Sequence, residues 1–170
     1  MKIEDLKKEI KADWDFLSAW RDEARDNYDF MVGDQWDEMA KADMEADNRV
    51  PLVFNRVAPI IHAIAGTEIN NRTEVRYIPR TIGDAKVNEA LTAGAEWFRD
   101  TAQAEEEDSQ SFMDSLICGI GATDTSLDFE ADTEGEPTIM RLDPIMTFWE
   151  RSAHRKCLKD AQRTGVVLFL

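Results

Sequence analysis

Arg49-Val50-Pro51-Leu52-Val53-Phe54-Asn55-Arg56 runs straight into Val57-Ala58-Pro59-Ile60-Ile61-His62-Ala63-Ile64-Ala65-Gly66-Thr67-Glu68-Ile69-Asn70-Asn71-Arg72, and the change of pattern between them sets how the chain is laid out. The first half is an apolar extended run, because a residue before proline is biased away from helix. Asn55, a favoured N-cap residue, marks the change to helix. Pro59 is tolerated there because it falls in the first turn. Val57, Ile60, Ile61, Ile64 and Ile69 recur at helical spacing and define a strongly apolar face. Asn70-Asn71-Arg72 ends the helix, and Glu74-Val75-Arg76-Tyr77-Ile78-Pro79 reads as a short strand. The stretch holds no nucleophile, metal cage or phosphate loop. It is a joint between two acidic, mostly helical arms.

Composition sharpens that picture. With 170 residues the chain is long enough for one ordinary domain or two very small ones. An apolar content of 43% excludes wholesale disorder. The formal net charge is −15, from 35 acids against 20 Lys plus Arg. Such a balance disfavours specific DNA binding, since neutralising phosphates requires basic side chains. The charge is uneven: residues 1–48 carry 7 basic and 15 acidic groups, residues 49–80 carry 5 and 2, and residues 81–170 carry 8 and 18. The joint is therefore the one net-positive segment, and its arginines are placed to pair with acids of the arms or of a second copy. Cys118 and Cys157 suggest neither a disulfide framework nor a zinc site, so a reducing, intracellular setting is expected. No apolar run reaches membrane-spanning length, and Met1-Lys2-Ile3-Glu4-Asp5 does not resemble a signal peptide.

The chain divides into a helical arm over residues 1–48, the joint and central helices over 49–121, and a β-rich segment over 122–170, together one structural unit. From Ile3 to about Met31 an amphipathic pattern places Ile3, Leu6, Ile10, Leu17, Trp20 and Ala24 near one stripe. Such a length exceeds the usual globular helix, so it packs along a neighbour or breaks once. Gly33-Asp34-Gln35-Trp36 opens a second helix, with Asp34 as cap and Trp36 and Met39 on its apolar side. Thr81 to Asp84 starts a further helix to about Ala104, whose buried candidates are Val87, Ala90, Leu91, Ala95, Trp97 and Phe98. Ser109 to Cys118 continues as helix with Phe112, Met113, Leu116 and Ile117 inward. Gly119-Ile120-Gly121 stops it: a phosphate loop follows a strand and opens a helix, the reverse of this order. Thr123–Glu130 and Thr138–Leu142 then form a hairpin around the loop from Asp132 to Pro137. Asp143-Pro144 breaks the strand before the extended piece Ile145–Trp149. Thr164–Leu170 is an apolar strand that needs a covering partner. The fold class is α+β, long N-terminal helices followed by a small antiparallel sheet.

Catalytic patterns are weak. His62 lies in the apolar face of the joint helix and reads as a core or capping residue. His154 and Cys157 make an H-x-x-C pair in a polar loop, a thiol nucleophile only if a third group orients them. Glu105-Glu106-Glu107-Asp108 points in four directions on a helix and reads as a solvated helix start, not a cation site. Asn71-Arg72-Thr73 fits a glycosylation pattern that lacks meaning without a secretion signal. No catalytic, cofactor-binding or metal residue emerges, and no enzyme is expected.

The order of Gly33-Asp34-Gln35-Trp36, Pro51-Leu52-Val53-Phe54-Asn55-Arg56 and Gly66-Thr67-Glu68-Ile69-Asn70-Asn71-Arg72 resembles the N-terminal part of portal proteins of short-tailed bacteriophages. So do Phe112-Met113-Asp114-Ser115-Leu116-Ile117-Cys118-Gly119-Ile120-Gly121, Arg141-Leu142-Asp143-Pro144-Ile145-Met146-Thr147-Phe148-Trp149, and Asp160-Ala161-Gln162 leading into a strand. The match runs from about Tyr28 to the last residue. The resemblance implies a subunit of a dodecameric ring at one capsid vertex, through which DNA is packaged and ejected and to which the tail attaches. It implies self-association, capsid and scaffolding contacts, and terminase and tail contacts through parts beyond these residues. It also implies a virion location after assembly in the bacterial cytoplasm, no cofactor, and no catalytic residue, since the terminase hydrolyses ATP. Family members are several times longer, so this chain corresponds to the outer, wing-like portion, as a truncated gene or a fragment. Arg49, Arg56, Arg72, Arg76, Arg80 and Trp20 are the candidate subunit-contact residues. The alternatives are a free-standing acidic interaction or regulatory module from a prophage, and a small hydrolase using Cys157 and His154.

Overall fold

The computed structural model describes residues 3–81, 83–130, 132–155 and 158–167. Six helices come first and two small antiparallel sheets follow, the expected α+β arrangement, with two two-stranded sheets in place of one. The long N-terminal pattern breaks once, into α1 (Ile3–Phe16) and α2 (Ser18–Val32). At the break the Leu17 amide bonds to the Trp14 carbonyl at 3.2 Å, a three-residue step that tightens the chain. Leu17 itself is buried. The kink frees the two helices to pack differently: α1 meets the later strands, while α2 lies against the central helix.

Gly33 ends α2 in the left-handed conformation, φ 108°, as its sequence position predicts. The next helix, α3 (Glu38–Ala46), starts later than expected. Asp34 does not cap it; its carboxylate holds Lys41 at 2.6 Å instead, which raises the lysine's pKa. Trp36 turns to the joint, its indole donating to the Leu52 carbonyl at 3.2 Å, and Met39 is exposed.

Asn55 makes the joint. Its Oδ1 accepts the amides of Val57 and Ala58, both at 3.1 Å, at the start of α4 (Val57–Asn70). Its Nδ2 donates to the Met31 carbonyl at 2.6 Å, so one side chain ties the end of α2 to the beginning of α4. The apolar stripe of α4 is not covered as a whole. Ala65 is buried, but Ile60, Ile64 and Ile69 stand exposed. Residues 74–79 form no strand, contrary to the sequence expectation, and pair with no strand among the described residues. Strand-favouring side chains become a strand only where a ladder partner is supplied.

After this segment come α5 (Ala85–Thr101) and α6 (Ala104–Cys118), separated where Gln103 takes φ 49°. Of the buried candidates on α5, Ala95 and Phe98 are half-buried, whereas Val87, Ala90, Leu91 and Trp97 are exposed. Glu105–Asp108 does open α6, where negative charge suits the positive helix end. α6 is the hub, touched by α2, α4, α5 and the first sheet. Gly119 closes it at φ 84°, and at Gly121 a Cβ would collide with the Ser111 carbonyl. The expected hairpin follows as β1 (Ala122–Asp128) and β2 (Glu136–Leu142), in register from Ala122↔Leu142 to Asp128↔Glu136. Asp143 caps a single 3-10 turn through Ile145 N at 2.9 Å. Last, β3 (Thr147–Trp149) pairs with β4 (Thr164–Val166). The predicted terminal strand thus forms over Thr164–Val166, and its residues 168–170 lie outside the described residues.

Candidate assembly surface

Two buried carboxylates hold the arms together, and both have their partners inside the subunit. Asp13, fully buried on α1, accepts from the Arg151 amide at 3.3 Å, Arg151 Nη1 at 3.2 Å and Arg163 Nε at 3.1 Å. Glu9, one helical turn earlier, takes Arg151 Nη2 at 3.0 Å. The bond to Asp13 raises the pKa of the Arg163 guanidinium. On α6, Asp114 is 3% exposed and receives the Tyr28 hydroxyl at 2.7 Å and a two-pronged contact from Arg141, Nη2 at 2.8 Å plus Nε. Burial and then the Asp114 charge push the Tyr28 phenol well above its ordinary range, and the same carboxylate raises Arg141. Sequence reasoning missed both networks. The available signal was an acid inside an apolar stripe: Asp13 between Ile10 and Leu17, and Asp114 between Met113 and Leu116.

The predicted contact residues separate by what they touch. Arg72 is held within the chain by Glu105, by Ser109 Oγ at 2.7 Å and by Glu68 at 3.8 Å. Arg49 pairs with Asp47 and Arg76 with Glu74 at 2.7 Å, both short-range and well solvated. Arg56 and Arg80 make no ion pair among the described residues. Trp20 is half-buried, donating to the Cys118 carbonyl at 3.3 Å and standing edge-on to Trp149 with centroids 5.5 Å apart.

Around these charges lies uncovered apolar surface. Val50, Leu52 and Phe54 of the joint, Ile60 and Ile64 of α4, and Val87, Leu91 and Trp97 of α5 are all exposed. On α5, Val87, Ala90, Leu91, Gly94, Trp97 and Phe98 fall on one side of the helix. A groove of about 990 Å³ between α2, α4 and α6 has Met31, Ala65, Ile69, Met113 and Ile117 in its walls. His62 lines it and is exposed, neither a core nor a capping histidine. In the polar loop the His154 amide donates to Asp160 at 2.8 Å, while Cys157 lies outside the described residues. Among the described residues no three His, Cys, Asp or Glu side chains are grouped to hold a metal ion. Among the described residues no helix is long and apolar enough to cross a membrane.

The accessible surface totals 12902 Å². A compact monomer of 19.4 kDa is expected to expose about 8,500 Å². Surface of this extent leaves many large apolar side chains uncovered, Phe54, Ile60 and Trp97 among them. The chain belongs to the phage P22-like portal protein family, whose sequence model matches residues 7–169. That family is structural, and membership implies an oligomeric ring associated with the capsid vertex of the virion. No curated protein matches the chain.

Proposed function

We propose that this chain forms the wing-like portion of a portal subunit and acts through assembly. In this reading twelve copies form the ring through which DNA is packaged and ejected. Scaffolding protein guides its incorporation in the bacterial cytoplasm, and terminase and tail dock through other portions of the subunit. The observation that carries the reading is the surface left open by the subunit's own fold, a total of 12902 Å² against about 8,500 Å² for a compact monomer, with Phe54, Ile60, Val87 and Trp97 among the large apolar side chains exposed in it. Large exposed apolar patches mark interaction sites. The acidic surface supports the passage of DNA without a grip on its phosphates. Among the candidate contacts, Arg56 and Arg80 are the cations with no ion pair among the described residues, so they lead the set with Arg49 and Arg76. Arg72 and Trp20 serve the subunit's own packing first and reach a neighbour only through those same positions.

Light scattering of the purified chain across concentrations tests this. Concentration-dependent oligomers are expected. A monomer at every concentration would remove these residues from the ring contacts, and a monomer that captures a basic partner would support a free-standing acidic module.

A further inference from the structure

Residues 73–79 carry Thr73, Val75, Tyr77 and Ile78, side chains that favour strands, yet pair with no strand among the described residues. Val75, Tyr77 and Ile78 are exposed, Ile78 to 81%. The segment is pinned at two points to its own subunit: Arg72 to Glu105 and Ser109, and the Tyr77 amide to Thr92 Oγ1 at 3.1 Å. In an extended strand successive amides point opposite ways, so with Tyr77 facing α5 the amides of Arg76 and Ile78 face away from it. Pro79 cannot donate and sets the limit of any pairing.

The same chain offers a fitting acceptor. β1 has β2 on one edge and no strand on the other among the described residues, and two-stranded ribbons are marginal by themselves. Its central residues Asp124 to Leu127 are exposed, whereas β2 packs on α5 and α6. β1 and the segment are each seven residues long. Their charges are opposite. Residues 72–80 hold three Arg and one Glu; residues 122–136 hold six acids and no Lys or Arg.

We propose that residues 73–79 add as a third strand to the open β1 edge of a second copy of this chain, with Arg76 and Arg80 set against its acidic hairpin. Main-chain bonds supply the attachment and the charges choose the partner. Donor and acceptor are different surfaces, so every copy gives and receives, and such a head-to-tail contact makes a ring when its rotation closes. The inference rests on the reading of the chain as a ring subunit and names where one contact lies.

The test mixes full-length Val75→Cys chains with full-length Ser126→Cys chains, both sites exposed, under a short bismaleimide, and identifies linked peptides by mass spectrometry. Peptides joining residue 75 of one chain to residue 126 of the other are expected. Arg76→Glu in the donor should cut their yield at least fivefold. Oligomers by light scattering with no 75–126 link would overturn strand addition and leave the ring reading standing. A link formed within single Val75→Cys/Ser126→Cys chains at high dilution would overturn the second copy as occupant. A monomer with no link at any concentration would overturn both.

Discussion

Asn55 uses every polar atom of its side chain, two helix amides on its oxygen and the Met31 carbonyl on its nitrogen. Asn55→Ala should therefore lose a cap and a tether together, lowering stability by about 1–2 kcal/mol. Asn55→Asp keeps the capping oxygen and should fall between the two; chemical denaturation of the three proteins checks the order. Arg141 and Arg21 make a sharper contrast. Removing Arg141 leaves Asp114 buried with the Tyr28 hydroxyl as its one polar side-chain partner among the described residues, so Arg141→Met should cost about 3 kcal/mol. Arg21 is buried over the Trp14 ring, 3.6 Å from its centroid, with Nη1 lacking a hydrogen-bond partner, and its burial lowers its pKa. A cation already taken from water without full compensation is one that methionine replaces at little loss. Arg21→Met should stay within about 1 kcal/mol of the parent in the same titrations.

At the scale of elements, the loop between β3 and β4 depends on two carboxylates. Glu150 accepts the Gln162 amide at 2.8 Å and Asp160 accepts the His154 amide at 2.8 Å, and these bonds hold both acids below the ordinary carboxylate range. Because the folded pKa is the lower one, the unfolded loop binds more protons as acid is added. The stabilisation is therefore complete above the ordinary carboxylate pKa, about 4. It is lost as pH falls through the folded values. Hydrogen exchange corrected for intrinsic rates should show the Gln162 and His154 amides losing protection in that window while the α6 amides keep theirs. The elements themselves differ in how local their causes are. Helix ends at Gly33 and Gly119 follow from one residue's freedom to adopt positive φ. Residues 74–79 have equally clear strand chemistry but no helix-like way to satisfy it alone, which is why the same kind of reading failed there.

For the whole molecule the deciding quantity is uncovered surface, and the basic joint sits within it. Each exposed ion pair contributes only about 0–1 kcal/mol, so assembly through the joint requires several at once. Arg56→Glu with Arg80→Glu should leave the helical circular dichroism unchanged and shift the oligomer to lower mass by light scattering. Arg72→Glu should behave differently, loosening the subunit itself, since Glu105, Glu68 and Ser109 all lie against it. An unchanged oligomer in the double variant would remove Arg56 and Arg80 from the contact.

By itself the sequence determined that helices precede the hairpin, the joint with its Asn55 cap, the glycine ends of α2 and α6, the β1–β2 hairpin and the family. Each of these rests on residues within a few positions of one another or on the linear order of motifs. Only the tertiary structure decided which apolar faces were covered, that Asp13 and Asp114 were buried, that Arg72 turned inward and that residues 74–79 went unpaired. Those outcomes depend on partners far along the chain, as Asp13 meets Arg163 and Tyr28 meets Asp114. Periodicity marks a face as apolar, but coverage is settled by what the rest of the molecule brings to it.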